Sequence, residues 1–185
     1  IEGVGYRAEV SGNNLVLTID EGIQYIVERE LAEAMVQWKA RAAAAIMMNP
    51  MTGEILAMAN MPTYDPNDTS KTSNDERRNR ALTDLYEPGS TFKAVLASAA
   101  LEEEVVKLHN TFDTSKGFIV VGGKPVRDVH KHGVLTFKEV IQKSSNVGCV
   151  QVGLRLGEKR YYNYIKKFGF GEKTGIDFPG EAKGL

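Results

Sequence analysis

The chain has 185 residues, 42% hydrophobic and 25% charged, with a formal net charge of −1. That is enough for one packed domain; it lacks the basic excess of a nucleic-acid binder, and no apolar run approaches the roughly 18 residues of a membrane span. The single Cys149 excludes an internal disulfide. No signal peptide precedes the first element, and Ile1-Glu2-Gly3 reads as the start of a piece of something longer.

In chain order, Asn14 to Ile19 is expected to form a short strand, and Asp20 to cap the helix that follows. Ile23, Val27, Leu31, Ala34, Met35 and Trp38 recur at threes and fours and define one apolar face of that helix. Ala42 to Met48 and Glu54 to Asn60 flank Asn49-Pro50-Met51-Thr52-Gly53, the pattern of a β-hairpin. Its small alanines suit a sheet with helices pressed on its faces. Pro62 to Glu76 is a polar loop, and Arg77-Arg78-Asn79-Arg80 reads as a solvated charge run. Pro88-Gly89 interrupts the backbone before an apolar helix, Thr91 to Leu101, expected to run through the middle of the domain and to end on exposed Glu102 to Glu104. A small hairpin, Gly117 to Val121 with Lys124 to Val129, turns at Gly122-Gly123. Thr136 and Glu139 form a capping box for a helix carrying Ser144, Ser145 and Asn146 and closing at Leu154 to Leu156. Glu158 to Phe168 makes a shorter helix, with Tyr161, Tyr164, Ile165 and Phe168 on one side and Gly169 as its stop. Gly171 to Leu185 is loop.

Two patterns carry chemistry. Ser90 precedes Lys93 by three residues, which on a helix sets the two side chains about one turn apart and on nearly the same side. Serine needs a base within about 3 Å to act as a nucleophile. Burial among Phe92, Ala94, Val95, Leu96 and Ala97 is expected to disfavour the Lys93 ammonium and so supply that base. A backbone N–H at the helix start gives one half of an oxyanion hole. The second pattern is Ser144-Ser145-Asn146. Residues two apart do not share a helix face, so Ser144 and Asn146 reach one site only at a helix edge or in a loop between helices. There the Ser144 hydroxyl relays a proton to a leaving amine, and the Asn146 amide holds Lys93 through its oxygen and a substrate amide through its nitrogen.

With these residues in place, the chain resembles the transpeptidase domain of class B penicillin-binding proteins. The resemblance runs through Leu17-Thr18-Ile19-Asp20 with Ile23-Gln24, Asn49 to Met58, Pro62 to Asn67, Asn79-Arg80-Ala81 and Tyr86 to Lys93. It continues in Gly133 to Thr136, Ser144 to Asn146, and Gly169-Phe170-Gly171 through Glu181. It implies an α+β fold of the serine β-lactamase/transpeptidase type, an antiparallel sheet flanked by helices, with residues 1–20 as lead-in and 21–185 as transpeptidase core. It implies Ser90 as the acylated nucleophile, Lys93 as general base, and Ser144 and Asn146 as the second element, with Ser145 in its variable middle position. The implied substrates are peptidoglycan stem peptides ending in D-Ala-D-Ala, with β-lactam antibiotics acylating Ser90. The implied setting is the outer side of a bacterial cell membrane, with an N-terminal helical anchor and membrane proteins of division, elongation or sporulation as partners. Neither cofactor, metal nor nucleic acid is implied.

The family's third element, Lys-Ser/Thr-Gly, lies on a sheet strand far beyond the Ser-x-Asn segment. Lys173-Thr174-Gly175 follows Asn146 by only 27 residues, and Asp177, Pro179 and Gly180 interrupt any strand there. The triplet therefore reads as part of a structural loop. The chain is expected to stop before the later strands, leaving open sheet edges and a poorly active fragment, since one lost oxyanion donor costs around 3 kcal/mol. A β-lactam-sensing or hydrolysing relative, and a non-catalytic binding module of a cell-wall complex, stay open as alternatives. His130 and His132 beside Asp128 have no partner set for zinc and read as loop residues. Cys149 reads as a packed thiol.

Overall fold

The computed structural model describes residues 12–184; most of the lead-in expected over 1–20 lies outside them. The chain divides into two compact units, one ending at Asp84 and the other beginning at Leu85.

In the first unit, helix α1 (Glu21–Trp38) starts where Asp20 Oδ1 accepts the Ile23 N–H at 2.9 Å. Its half-buried stripe is Ile23, Val27, Leu31, Ala34 and Met35, as the periodicity requires, but Trp38 is 74% exposed. Trp38 is the last helical residue, and Lys39 behind it turns into the left-handed region. Strands β1 (Ala43–Met48) and β2 (Ile55–Met61) pair antiparallel, from Ala43 opposite Met61 to Met48 opposite Ile55. Ala57 and Ala59, two apart on β2, are buried, and α1 packs against β2.

Asn14 to Ile19 is not a strand. It is rich in strand-forming residues, yet it makes no ladder. Thr18 Oγ1 donates to the Ile55 carbonyl at 2.6 Å, and the Asp20 N–H to the Leu56 carbonyl at 3.0 Å. Gln24 completes the cover: its Oε1 accepts the Met58 N–H at 2.8 Å and its Nε2 donates to the Met58 carbonyl at 3.1 Å. A side-chain amide thus satisfies backbone groups of β2 that a further strand would otherwise use. Part of the expected open edge is closed by the chain itself.

Arg77 and Arg78 are exposed, as a solvated charge run requires, but Arg80 is not. Arg80 opens the short helix α2 (Arg80–Thr83) with its side chain only 12% exposed, Nη2 on Asp75 Oδ2 at 2.6 Å and Nη1 on Asp84 Oδ2 at 3.2 Å. Arg78 shares Asp84, whose carboxyl is held below the usual carboxylate range chiefly by that hydrogen bond. Asn79 Oδ1 accepts from Asn60 at 3.0 Å, tying α2 to β2. The sequence shows the charge run but not the carboxylates that fold back on Arg78 and Arg80.

The second unit holds the larger core: Val95, Leu96, Phe112, Phe137, Val140 and Val152 are among its buried residues. Gly89–Phe92 forms a 3-10 turn that runs into helix α3 (Lys93–Glu102). The α3 helix is buried on one side only. Val95, Leu96, Ala99 and Ala100 face the core, whereas Ala94 and Ser98 are exposed, because alanine fits either side and hides the division. Glu103 beyond it is not simply an exposed end: it accepts from Tyr164 Oη at 3.1 Å and lies 3.6 Å from Arg160 Nε. Two three-residue strands, β3 (Thr111–Asp113) and β6 (Val134–Thr136), pair antiparallel and were too short to leave a period. The hairpin β4 (Phe118–Val121) and β5 (Lys124–Arg127) turns on Gly122 and Gly123, whose φ of 55° and 77° a two-residue hairpin turn requires.

The Thr136–Glu139 capping box is present, and the Thr136 N–H and hydroxyl bonds at 2.8 Å hold the Glu139 carboxyl below its ordinary range. It opens a helix that stops at once, however. Helix α4 (Phe137–Gln142) ends, the chain turns through Lys143, Ser144 and Ser145, and α5 (Asn146–Leu156) begins. Helix α6 (Glu158–Lys167) follows, with Tyr164 buried and Phe168 exposed just past its end.

Gly148 sets how closely α4 and α5 approach. A Cβ built there would meet Val140 Cγ2 at 2.5 Å and Cγ1 at 2.7 Å. Gly148→Ala is therefore expected to destabilise the second unit despite the roughly 1 kcal/mol of helix propensity it gains, since overpacking costs about 1–3 kcal/mol. Urea denaturation measures the loss. Adding Val140→Ala should cost less on the Gly148→Ala background than on wild type, because it removes the clashing methyls.

Among the described residues, no helix is long and apolar enough to cross a membrane.

Candidate active site

Ser90 stands exposed in the 3-10 turn, and Lys93, half-buried, is the first residue of α3. The Ser90 N–H lies in the first turn, where backbone donors have no acceptor within the helix. Ser144 sits in the α4–α5 turn with φ 55°. A non-glycine residue in that left-handed conformation costs about 1–2 kcal/mol, so something must hold it. The Ser144 N–H donates to the Ile141 carbonyl at 3.1 Å and the Ser145 N–H to the Val140 carbonyl at 2.9 Å. This break between helices is what lets Ser144 and Asn146 face the same point.

That point is the Lys93 amine. Nζ bonds to the Ser144 carbonyl at 2.6 Å, Ser144 Oγ at 2.8 Å and Asn146 Oδ1 at 2.8 Å. Ser144 Oγ in turn bonds to Ser90 Oγ at 2.9 Å. All four residues singled out from sequence thus form one hydrogen-bonded group. Two details differ from expectation. Lys93 reaches Ser90 through the Ser144 hydroxyl, not directly, because the site is built between α3 and the α4–α5 turn instead of along one helix. And the Asn146 amide nitrogen donates to the Arg127 carbonyl at 2.8 Å, which leaves only one of its two N–H bonds for anything else.

The acceptor set explains what the group can do. The Ser144 carbonyl and Asn146 Oδ1 only accept, so a neutral amine satisfies both with its two N–H bonds and turns its lone pair to the Ser144 hydroxyl. Hydroxyl hydrogens rotate, so the line Ser90 Oγ, Ser144 Oγ, Lys93 Nζ can carry a proton in either direction.

Asp128 and Ser145 complete the frame. Asp128 Oδ1 accepts the Val147 N–H at 2.9 Å, and Oδ2 accepts from Ser145 Oγ at 2.8 Å. Ser145, 1% exposed, also accepts the Gly148 N–H at 2.9 Å as the N-cap of α5. Asp128 lies beside His130 and His132, which read as loop residues, and both its oxygens are engaged at the start of α5. Beside Lys93 and Asn146 opens a groove of about 360 Å³ lined by Phe92, Leu96, Val126, Cys149 and Tyr161. Burial pushes the Cys149 thiol up to about 11, against a smaller opposing effect of Lys93, so it is protonated at neutral pH.

Lys173-Thr174-Gly175 lies in irregular chain. Glu181 Oε1 accepts from the Thr174 N–H at 2.6 Å and from its hydroxyl at 2.5 Å, and Oε2 accepts the Gly175 N–H at 3.3 Å. Those bonds lower the Glu181 carboxyl, the Thr174 hydroxyl contributing most. The triplet's polar groups serve the loop.

Residues 43–185 match the family described as penicillin binding protein transpeptidase domain. Stage V sporulation protein D of Bacillus subtilis is 42% identical over 187 residues, covering 100% of this chain and 29% of its own length. Peptidoglycan D,D-transpeptidase FtsI of Escherichia coli is 37% identical over 185 residues, covering 100% of this chain and 31% of its own. The crystal structure of penicillin binding protein 3 from Mycobacterium tuberculosis, complexed with aztreonam, aligns with a TM-score of 0.88 at 38% identity. That alignment takes in 99% of this chain and 41% of the other. The chain thus spans less than a third of the length of these two curated relatives.

Proposed function

The chain belongs to the penicillin-binding protein transpeptidase family, and from that premise we propose that it carries the acylating centre of a peptidoglycan DD-transpeptidase. Ser90 Oγ attacks the carbonyl of the D-Ala-D-Ala peptide bond. Its proton passes through Ser144 Oγ to Lys93 Nζ and returns by the same line to the departing D-alanine amine. A stem-peptide amine then attacks the Ser90 ester, gives up its proton to the same relay, and restores the serine as the cross-link forms. β-Lactams enter at the first step and stay on Ser90. The aztreonam complex of the mycobacterial relative supports that part of the reading.

The observation that carries the proposal is the continuous line of bonds at 2.9 and 2.8 Å from Ser90 through Ser144 to Lys93. It gives a serine hydroxyl a base by relay, which a capping serine and a surface lysine would not have. Residues 21–185 serve as transpeptidase core in this reading, on the outer face of a bacterial membrane, with cell-wall synthesis proteins as partners.

The test is intact mass after exposure of the full-length protein to a fluorescent penicillin, followed by peptide mapping. One drug equivalent on the Ser90 peptide is expected. No adduct, or an adduct on another residue, ends the proposal.

A further inference from the structure

We infer that Asp128 and Ser145 are a positioning pair for the acyl-transfer centre, acting through Ser144 and Asn146. The inference rests on the reading of Ser90 as the acylated serine.

Three consecutive residues after Ser144 are each tied to the end of β5. Asn146 Nδ2 donates to the Arg127 carbonyl, while Ser145 Oγ and the Val147 N–H occupy the two oxygens of Asp128. Ser145 extends the line inward by accepting the Gly148 N–H, so one carboxylate reaches two amides of the first turn of α5, one directly and one through a hydroxyl. A carboxylate at the start of an eleven-residue helix is also favoured by the helix dipole.

Among the described residues, those on either side of Ser145 supply every bond that Lys93 Nζ makes: both oxygens of Ser144 and the amide oxygen of Asn146. Ser144 is held in the left-handed region, where its carbonyl and hydroxyl turn to Lys93 together. Fixing Ser145 from one side by Asp128 and from the other by Gly148 fixes the peptide units that carry those acceptors. Without Asp128, the Ser145 hydroxyl and the Val147 N–H lose their partner, and the turn is free to rotate Ser144 Oγ away from Ser90. Asp128 touches neither Ser90 nor Lys93, so its effect is on geometry.

The experiment uses the full-length protein with Asp128→Ala, Asp128→Asn, Ser145→Ala and the Asp128→Ala/Ser145→Ala double variant. Tyr164→Phe, which removes the bond to Glu103, is the stability control. The readouts are the second-order rate constant of acylation by a fluorescent penicillin, the thermal midpoint, and amide exchange at Val147 and Gly148 by mass spectrometry. Asp128→Ala is expected to slow acylation by about 100-fold, the scale of a 1 Å misplacement at a reacting group. Asp128→Asn should stay within about 5-fold of wild type, since its oxygen still accepts from Val147 and its nitrogen donates to Ser145 Oγ. Ser145→Ala should slow acylation by less on the Asp128→Ala background than on wild type, because the two changes share one bond and only the Gly148 bond is left to lose.

Acylation at the wild-type rate in Asp128→Ala overturns the inference, as does equal slowing in Tyr164→Phe at a matched loss of thermal midpoint. Should the wild-type protein take no label, the reading of Ser90 fails, and amide exchange decides the pair by itself. Faster exchange at Val147 and Gly148 in Asp128→Ala supports it, and unchanged protection overturns it.

Discussion

Ser90→Ala is expected to abolish both penicillin capture and cross-linking, leaving an intact-mass spectrum with no drug adduct after prolonged incubation. The substitution removes one oxygen from an exposed position in a 3-10 turn, so folding stability should change by no more than about 0.5 kcal/mol. The rest of the group survives, because the Lys93 bonds to Ser144 and Asn146 do not involve Ser90. Ser144 keeps its hydroxyl beside the amine but in a left-handed turn, with both its oxygens engaged by Lys93. An adduct that persists in Ser90→Ala and maps to Ser144 would reverse the assignment of nucleophile and relay. Cross-linking assayed with stem peptides should vanish with the adduct, since both begin with the same ester.

Lys93→Met is expected to lower the acylation rate by about 10²- to 10⁴-fold, the usual worth of a positioned base. Methionine keeps most of the length and apolar body of lysine while removing the amine. The Ser144 hydroxyl then has no base to pass a proton to, and two obligate acceptors, the Ser144 carbonyl and Asn146 Oδ1, lose their donor. Leaving such groups unpaired costs about 1–3 kcal/mol where they are buried, and less at this partly exposed site. Lys93→Arg separates the two roles. A guanidinium restores donors to both acceptors but stays protonated and cannot take a proton. Thermal stability should recover toward wild type while acylation stays as slow as in Lys93→Met. Recovery of acylation by arginine would show that the cation's hydrogen bonds matter and its basicity does not.

Much of this site is legible from local signals. Ser90 and Lys93 stand out because a proline-glycine pair and an apolar helix bracket them, and Ser144 to Asn146 because small polar residues interrupt an apolar run. The capping box at Thr136, the hairpin at Gly122-Gly123 and the α1 stripe are likewise short-range patterns, each imposed by a helix period or a turn conformation. The α4–α5 break was harder to see. Lys143 and Ser144 can continue a helix by propensity, and the left-handed turn is favoured only once Ile141, Val140 and Lys93 supply its partners. Asp128 carries no local signal of its role: its neighbours in sequence are loop histidines, whereas its partners in space are Ser145 and Val147.

The sequence alone determined the family and the residues on which the proposed acylating chemistry rests, since both depend on residue types in a fixed order that neither packing nor solvent can change. Tertiary structure decided who touches whom: that Lys93 meets Ser90 through Ser144, that Asn146 gives one N–H to Arg127, and that Gln24 covers the free backbone of β2. The reason is one of range. Helix periods and turns are set by neighbours a few residues apart, but a hydrogen bond spanning fifty residues depends on where two independently folded segments come to rest.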